Sequence, residues 1–367
     1  MQVEQLVRTG IRTVTPYIPG KPIDEVQRER KLRRVIKLAS NENALGPSKA
    51  AIKACRDGLR ELHRYPDGSG YHLKRRLAAM HQVVPESVIL GNGSDELFVI
   101  ALRTFVNEGD EVIVAKPTFL IYEIAARIAH AHVITVPLTH ELRYDLPAMR
   151  SAVTMRTKLI FIANPDNPTG TYVTEQEVAA FMLGMPPHVI VVFDEAYAEY
   201  VDALDFPATR KYIHAHYALV TRTFSKAHGL AGLRVGYGIA QPDLIAWMDR
   251  AREPFNVNSL AQRAALASLE DLEHVKRVTD VAREGKAYLS KQCERLGVKC
   301  LPSQTNFLLM EVGPSAGEVV ERLLDRGVIV RDMHPWGLNR YIRVTAGVPR
   351  ENKIFVKHLK RVLRKLK

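Results

Sequence analysis

A chain of 367 residues is longer than one hydrophobic core ordinarily organises, about 250–300 residues, so two domains are expected. Its 46% apolar and 25% charged residues are those of an ordinary soluble globular protein, which excludes wholesale disorder, collagen-like repeats and a coiled-coil rod. The excess of 52 basic over 40 acidic side chains, +12 at neutral pH, is compatible with nucleic acid, an anionic surface, small anionic substrates or solubility alone.

Residues 1–38 have few apolar runs and several prolines and are expected to wrap the surface rather than build a core. The opening MQVEQLVRTGIRTVTPYIPG lacks the apolar centre of a signal peptide, and no stretch approaches about 18 uninterrupted apolar residues. No membrane span and a reducing cytoplasm are the expectation. From there short β-rich runs alternate with helical ones. SVILGNGS (87–94), DEVIVAKP (110–117), AHVITVPL (131–138), KLIFIANP (158–165), HVIVVFDEAY (188–197) and YALVTRTFS (217–225) predict buried strands. Their near-continuous apolar content suits strands covered on both faces of a largely parallel sheet. Helices are predicted between them over 94–107, 118–130 and 174–184, which makes the class α/β.

The character changes near residue 258. A long helical stretch (258–293), two short strands (305–312 and 340–347), a helix (315–326) and a basic amphipathic terminal helix (351–367) predict a smaller α+β unit. The expected division is a large domain over 39–257 and a small one from 1–38 and 258–367. Cys55, Cys293 and Cys300 are too few and too scattered for a disulfide framework, and no Cys/His cluster has zinc-ligand spacing.

Four segments carry chemistry. In TRTFSKAHGLAGLRVGY (221–237) Lys226 follows a strand, with Thr223 and Ser225 before it and Arg234 after it. Partial burial or a nearby cation turns a lysine into a nucleophile toward carbonyls, while hydroxyls and an arginine cradle a phosphate. That pairing is what pyridoxal phosphate requires; alone, a surface lysine at a helix start reads equally well. In VVFDEAYAEY (191–200) Asp194 and Tyr197 end a strand, where open α/β sheets bind ligands. A buried aspartate there keeps a pyridinium protonated. A helix N-cap or a Mg²⁺ site are the other readings, though no phosphate-binding G-x-x-x-x-G-K-[ST] loop accompanies the latter. ANPDNPTG (163–170) is a rigid turn holding Asn167 at the same sheet edge, or a strand-ending turn alone. GNGSDE (91–96) offers backbone N–H groups at Ser94 and Asp95 to a phosphate, without the spacing of a dinucleotide fingerprint.

Together with TPYIPGKP (15–22), LASNENALGPS (38–48), HRYPDGSG (63–70), GVIVRD (327–332) and YIRVTAG (341–347), these segments resemble the fold-type I pyridoxal-phosphate aminotransferases, in the histidinol-phosphate aminotransferase branch, over nearly the whole chain. The resemblance implies a mostly parallel central sheet sandwiched by helices plus a smaller α+β domain. It implies pyridoxal 5'-phosphate bound to Lys226, the Schiff-base lysine and proton carrier. Asp194 would pair with the ring nitrogen, and Asn167 and Tyr197 would bond the ring's 3-oxygen. Thr223, Ser225, Arg234 and the backbone of Ser94 and Asp95 would bind the phosphate. Phe119 falls where the family stacks an aromatic ring, often tyrosine, on the cofactor. Tyr65 matches a tyrosine that reaches the neighbouring subunit's cofactor, which implies a homodimer with shared sites. On the substrate side stand Tyr17, Asn43, Arg331 and Arg343, the last as the carboxylate clamp.

The implied reaction takes an amino donor and a 2-oxo acid: histidinol phosphate plus 2-oxoglutarate, giving imidazole acetol phosphate and glutamate in histidine biosynthesis. DMHPWGLNRY (332–341) departs from the branch, because His334 and Trp336 are bulky. An aromatic amino-acid aminotransferase is therefore the second reading. An amino-acid phosphate decarboxylase and a non-catalytic regulator on the same fold are remoter. No nucleic-acid motif accompanies the charge, and KHLKRVLRKLK (357–367) reads as a solvated helix face.

Overall fold

The six apolar runs form strands that all point the same way in one seven-stranded sheet, ordered Val88–Gly91, Gly236–Ile239, Ala218–Thr223, Ile190–Asp194, Thr157–Ala163, Glu111–Lys116 and His132–Pro137. The computed structural model describes residues 3–366; residues 1, 2 and 367, at the outer ends of the expected arm and terminal helix, lie outside it. Consecutive strand residues face opposite sides of a sheet, so the unbroken burial of Val112, Ile113 and Val114, or of Leu159, Ile160 and Phe161, means helices cover both faces. The strand of this sheet that the sequence did not announce is Gly236–Ile239, inserted antiparallel between two of the others. Its sequence, GYGI, hides it, and its first glycine is a packing requirement. A Cβ at Gly236 would stand 2.6 Å from the Ser94 nitrogen and 2.8 Å from the Gly93 carbonyl carbon. The strands ending at Lys116, Ala163, Asp194 and Thr223 deliver their following loops to one edge of the sheet, where such folds bind ligands.

The smaller unit is a four-stranded antiparallel sheet ordered Arg331–Asp332, Tyr341–Thr345, Phe307–Glu311 and Lys299–Cys300. The helices Leu272–Glu294, Ala316–Leu324 and Pro349–Leu366 close over it, with Leu289, Leu308, Met310, Val319, Leu323 and Phe355 in its core. The terminal helix buries Phe355, Leu359 and Val362, one per turn. Each stabilises the unit by roughly 1.5–3 kcal/mol, while the basic residues take the solvated side. The expected long helix over 258–293 is two helices, Ser259–Leu269 and Leu272–Glu294, the second opened by the Asp271 side chain accepting from the His274 N–H. Ala261, Ala264, Ala265 and Leu269 of the first pack into the core of the large sheet. Within the first 38 residues, helix Ile23–Arg30 buries Val26 only, and Ile36–Lys37 pairs in parallel with Val328–Ile329. No helix among the described residues is long and apolar enough to cross a membrane.

Candidate active site

At the sheet edge lies a cavity of about 320 Å³. Every candidate residue named from the sequence lines it except Asn43 and Tyr65. One corner gathers hydrogen-bond donors that suit an anion. The helix Ser94–Phe105 begins there after Gly93, whose φ of 84° only glycine adopts readily, and no side chain caps the helix. Its first N–H groups are therefore free to meet an anion. A Cβ at Gly93 would collide with the Arg234 guanidinium. Arg234 itself sits at φ 54°, a conformation that costs a non-glycine residue on the order of 1 kcal/mol or more. This backbone turns the side chain inward, where Nη1 donates to Ser225 Oγ and to the Ala231 carbonyl, both at 3.2 Å. Its other nitrogen stands 3.6 Å from Asp95 Oδ2. Thr223 Oγ1 accepts the Ser225 N–H at 3.1 Å, which shapes the loop leading to Lys226.

Across the cavity Asp194 is buried at the end of its strand. Burial pushes its carboxyl up to about 7, aided by the negative charge of Asp95. Hydrogen bonds from Tyr122 and the Ala196 N–H, together with the Lys226 charge, pull the other way. Tyr122 Oη donates to Asp194 Oδ2 at 2.6 Å and is fixed by rings on two sides: Phe161 stacks on it at 4.9 Å and Phe98 meets it edge-on at 5.1 Å. A buried carboxylate of this kind favours a partner that brings a positive N–H. Lys226 Nζ lies 5.6 Å from the centroid of the Tyr197 ring. Tyr197 Oη accepts from Asn41 Nδ2 at 2.8 Å, and its ring meets Phe307 edge-on. Phe119 packs edge-on against Tyr122 on the same wall.

The far end is cationic. Arg331 and Arg343 are direct partners across two antiparallel strands, so their side chains share one face. They are 7% and 5% exposed, and neither has a carboxylate partner among the described residues. Arg343 donates to Asn167 Oδ1 and to the Ala39 carbonyl at 3.1 Å; Arg331 donates to the Ile18 carbonyl at 2.6 Å. The Nε atom of each is buried without a partner. Burial, with Arg331 beside it, lowers Arg343 to about 10, which leaves it fully charged at neutral pH. Tyr17, half-exposed, stands over Arg331, with its ring centroid 5.5 Å from the guanidinium carbon.

Two candidates sit elsewhere. Asn43 Nδ2 donates to the Ala227 carbonyl at 2.8 Å, so it braces the Lys226 loop from outside, and its neighbour Asn41 faces the cavity instead. Nothing in SNEN separates the two asparagines; the turn, with Asn41 at φ 55°, decides which one points inward. Tyr65 is 82% exposed and stacks on Phe255, away from its own cavity. Asp166, Glu195 and His228 stay outside the cavity, bonded respectively to Thr118 and Thr169, to Arg222, and to Ser268. Tyr122 was missed, because no local pattern links it to an aspartate in a distant segment. Among the described residues no three His, Cys, Asp or Glu gather as metal ligands.

The chain matches the family model for aminotransferase class I and II over residues 33–359. It is 48% identical to the histidinol-phosphate aminotransferase of Moorella thermoacetica over 97% of this chain and 92% of that one. To the histidinol-phosphate aminotransferase of an Anaeromyxobacter species it is 44% identical, over 98% and 99%. The crystal structure of histidinol-phosphate aminotransferase from Sinorhizobium meliloti in complex with pyridoxal-5'-phosphate superposes with a TM-score of 0.90 at 28% identity, over 98% of both chains. The chain therefore belongs to the aminotransferase class I and II family, in its histidinol-phosphate aminotransferase branch.

Proposed function

We propose that this protein transfers an amino group from histidinol phosphate to 2-oxoglutarate, giving imidazole acetol phosphate and glutamate, with pyridoxal 5'-phosphate in the Lys226 cavity. One observation carries the substrate class: Arg331 and Arg343 are buried side by side with no carboxylate between them. Two such guanidiniums repel each other unless an anion enters, and a phosphate or carboxylate meets their N–H edges bidentately. Both substrates bring such an anion.

The residues present fit the cofactor. The uncapped helix start at Ser94, with Ser225 and Arg234, suits its phosphate, and the room left by Gly93 and Gly236 would be lost to any side chain there. When bound, pyridoxal phosphate supplies an aldehyde for the amino group and a ring that accepts the electrons left on the substrate α-carbon. Asp194 would hold the proton on the ring nitrogen, its own charge favoured by the Tyr122 hydrogen bond. Tyr197, oriented by Asn41, and Asn167, oriented by Arg343, would bond the ring oxygen. Phe119 would cover the ring face. Lys226 Nζ would take the proton from the α-carbon and return it two atoms further along, on the far side of the transferred nitrogen. Arg343 would hold the anion of each substrate in turn, and Tyr17 with Arg331 would close the outer side.

The protein would act as a homodimer in the cytoplasm. Tyr65 and Phe255 form an exposed aromatic pair outside their own cavity, with Leu59 and Leu62 exposed nearby in the chain, as a partner-facing surface requires. An aromatic amino-acid aminotransferase is the second reading. A largely apolar cavity of about 360 Å³ adjoins the first, shares Tyr17, Phe119 and Arg331 with it, and is backed by Trp336. The deciding measurement is kcat/KM for histidinol phosphate and for phenylalanine, with 2-oxoglutarate as acceptor. Histidinol phosphate is expected to win by orders of magnitude; the reverse order replaces the first reading with the second.

A further inference from the structure

Trp336 has no part in the reaction above, yet it stands where three separate segments meet. Its indole is 6% exposed, at the end of the short turn His334–Trp336. The indole N–H donates to the Thr118 carbonyl at 2.9 Å, which pins this turn to the large-domain loop carrying Phe119. Thr118 is in turn held through its hydroxyl, which donates to Asp166 Oδ1 at 2.8 Å in the loop that carries Asn167. The indole ring also lies against Arg331, whose guanidinium carbon is 4.9 Å from the ring centroid, closer than the Tyr17 ring at 5.5 Å.

An arginine has several free torsions, and a buried one without a carboxylate partner needs other groups to hold it. For Arg331 those groups are two aromatic rings and the Ile18 carbonyl. Aromatic faces attract a guanidinium without using its N–H groups, so the edge left over remains available to an incoming anion. Trp336 itself does not line the Lys226 cavity. We infer that Trp336 is a positioning residue for substrate anions: it fixes the Arg331 guanidinium and ties that position to the Phe119 loop through the Thr118 bond. The inference rests on the reading of Arg331 as a substrate-side group, and it gives the bulky DMHPWGLNRY segment a purpose.

The competing account is packing alone, since Trp336 also joins Leu301, Leu309, Met333 and Leu338 in a local apolar cluster. Steady-state kinetics of the holoenzyme separate the two. Trp336→Leu, which removes the face and the N–H, is expected to raise KM for histidinol phosphate about tenfold with kcat within about twofold. Trp336→Phe, which keeps a ring under the guanidinium, is expected to stay within about threefold of the parent. If Trp336→Leu does not fold, Trp336→Met, similar in character and larger, carries the same expectation. On an Arg331→Gln background the Trp336 substitution should add nothing further to KM. A full tenfold addition there, or a loss confined to kcat and thermal stability, overturns the inference. Arg331→Gln with unchanged KM overturns it together with the role given to Arg331, while leaving the aminotransferase reading, judged by turnover itself, intact. Competition by inorganic phosphate, read from the holoenzyme absorbance band, repeats the comparison without relying on the donor substrate. Phosphate affinity unchanged in Trp336→Leu counts against the inference in the same way.

Discussion

The two ends of the Lys226 cavity are both cationic and are built in opposite ways. At the corner proposed for the cofactor phosphate Arg234 is part-exposed, faces Asp95, and belongs to a stretch of chain that also supplies Thr223, Ser225 and Lys226. At the end proposed for the substrate Arg331 and Arg343 are almost fully buried, face no carboxylate among the described residues, and are assembled with Tyr17, Ala39 and Asn167 from distant parts of the chain. On the proposed reading a permanent ligand would be served by a few short motifs: a glycine turn, an uncapped helix and one inward arginine. On the same reading an exchanged ligand would be served by buried charge held by the tertiary frame, compensated when an anion arrives.

Breaking the centre between the two ends should have the largest effect. Lys226→Ala is expected to lower kcat by at least about 10³-fold and to abolish the absorbance band that borohydride bleaches in the parent protein. Near-normal multiple turnover by that variant would sink the assignment. At the substrate end, Arg343→Gln should reduce kcat/KM by roughly 10²-fold while cofactor affinity, measured by equilibrium dialysis, stays within about threefold. Arg234→Gln should invert that pattern, with cofactor affinity falling first. Equal effects of the two substitutions on both quantities would erase the contrast between the ends.

Tyr122→Phe tests how Asp194 is tuned. Loss of one buried charge-assisted hydrogen bond should weaken cofactor binding about tenfold and move its acidic limb to higher pH, because Tyr122 favours the carboxylate form. The smallest effect is on the stability of the cofactor-free protein. Folded Asp194 keeps its proton up to about 7, whereas an unfolded aspartate releases it near 3.8. The folded state thus binds more protons through that window, and its stability falls as pH rises across it. Asp194→Asn removes this slope, so its Tm relative to the parent should climb by roughly 2–4 °C between pH 4 and pH 8. A flat difference would mean that Asp194 is ionised in the empty site.

Asn41 and Asn43 illustrate how far the sequence reaches. The motif SNEN located the segment, but the turn's dihedral angles chose Asn41 for Tyr197 and sent Asn43 to the Ala227 carbonyl. Gly236–Ile239 illustrates the same limit in the fold, since two glycines demanded by close packing against Ser94 and the sheet masked a strand. The division of the helical stretch after Leu269 likewise follows from which core its alanines enter, which no local pattern reveals.

By itself the sequence determined the parallel strands, the Lys226 loop and the strand-end Asp194. These depend on apolar periodicity and on chemistry carried within a few consecutive residues. Only the tertiary structure decided that Tyr122 meets Asp194, that Asn41 rather than Asn43 enters the cavity, and that Arg331 and Arg343 lie paired and uncompensated with Trp336 against the former. Those relations join segments far apart in the chain, and burial, which sets the strength of charges and hydrogen bonds, exists only once the segments have packed.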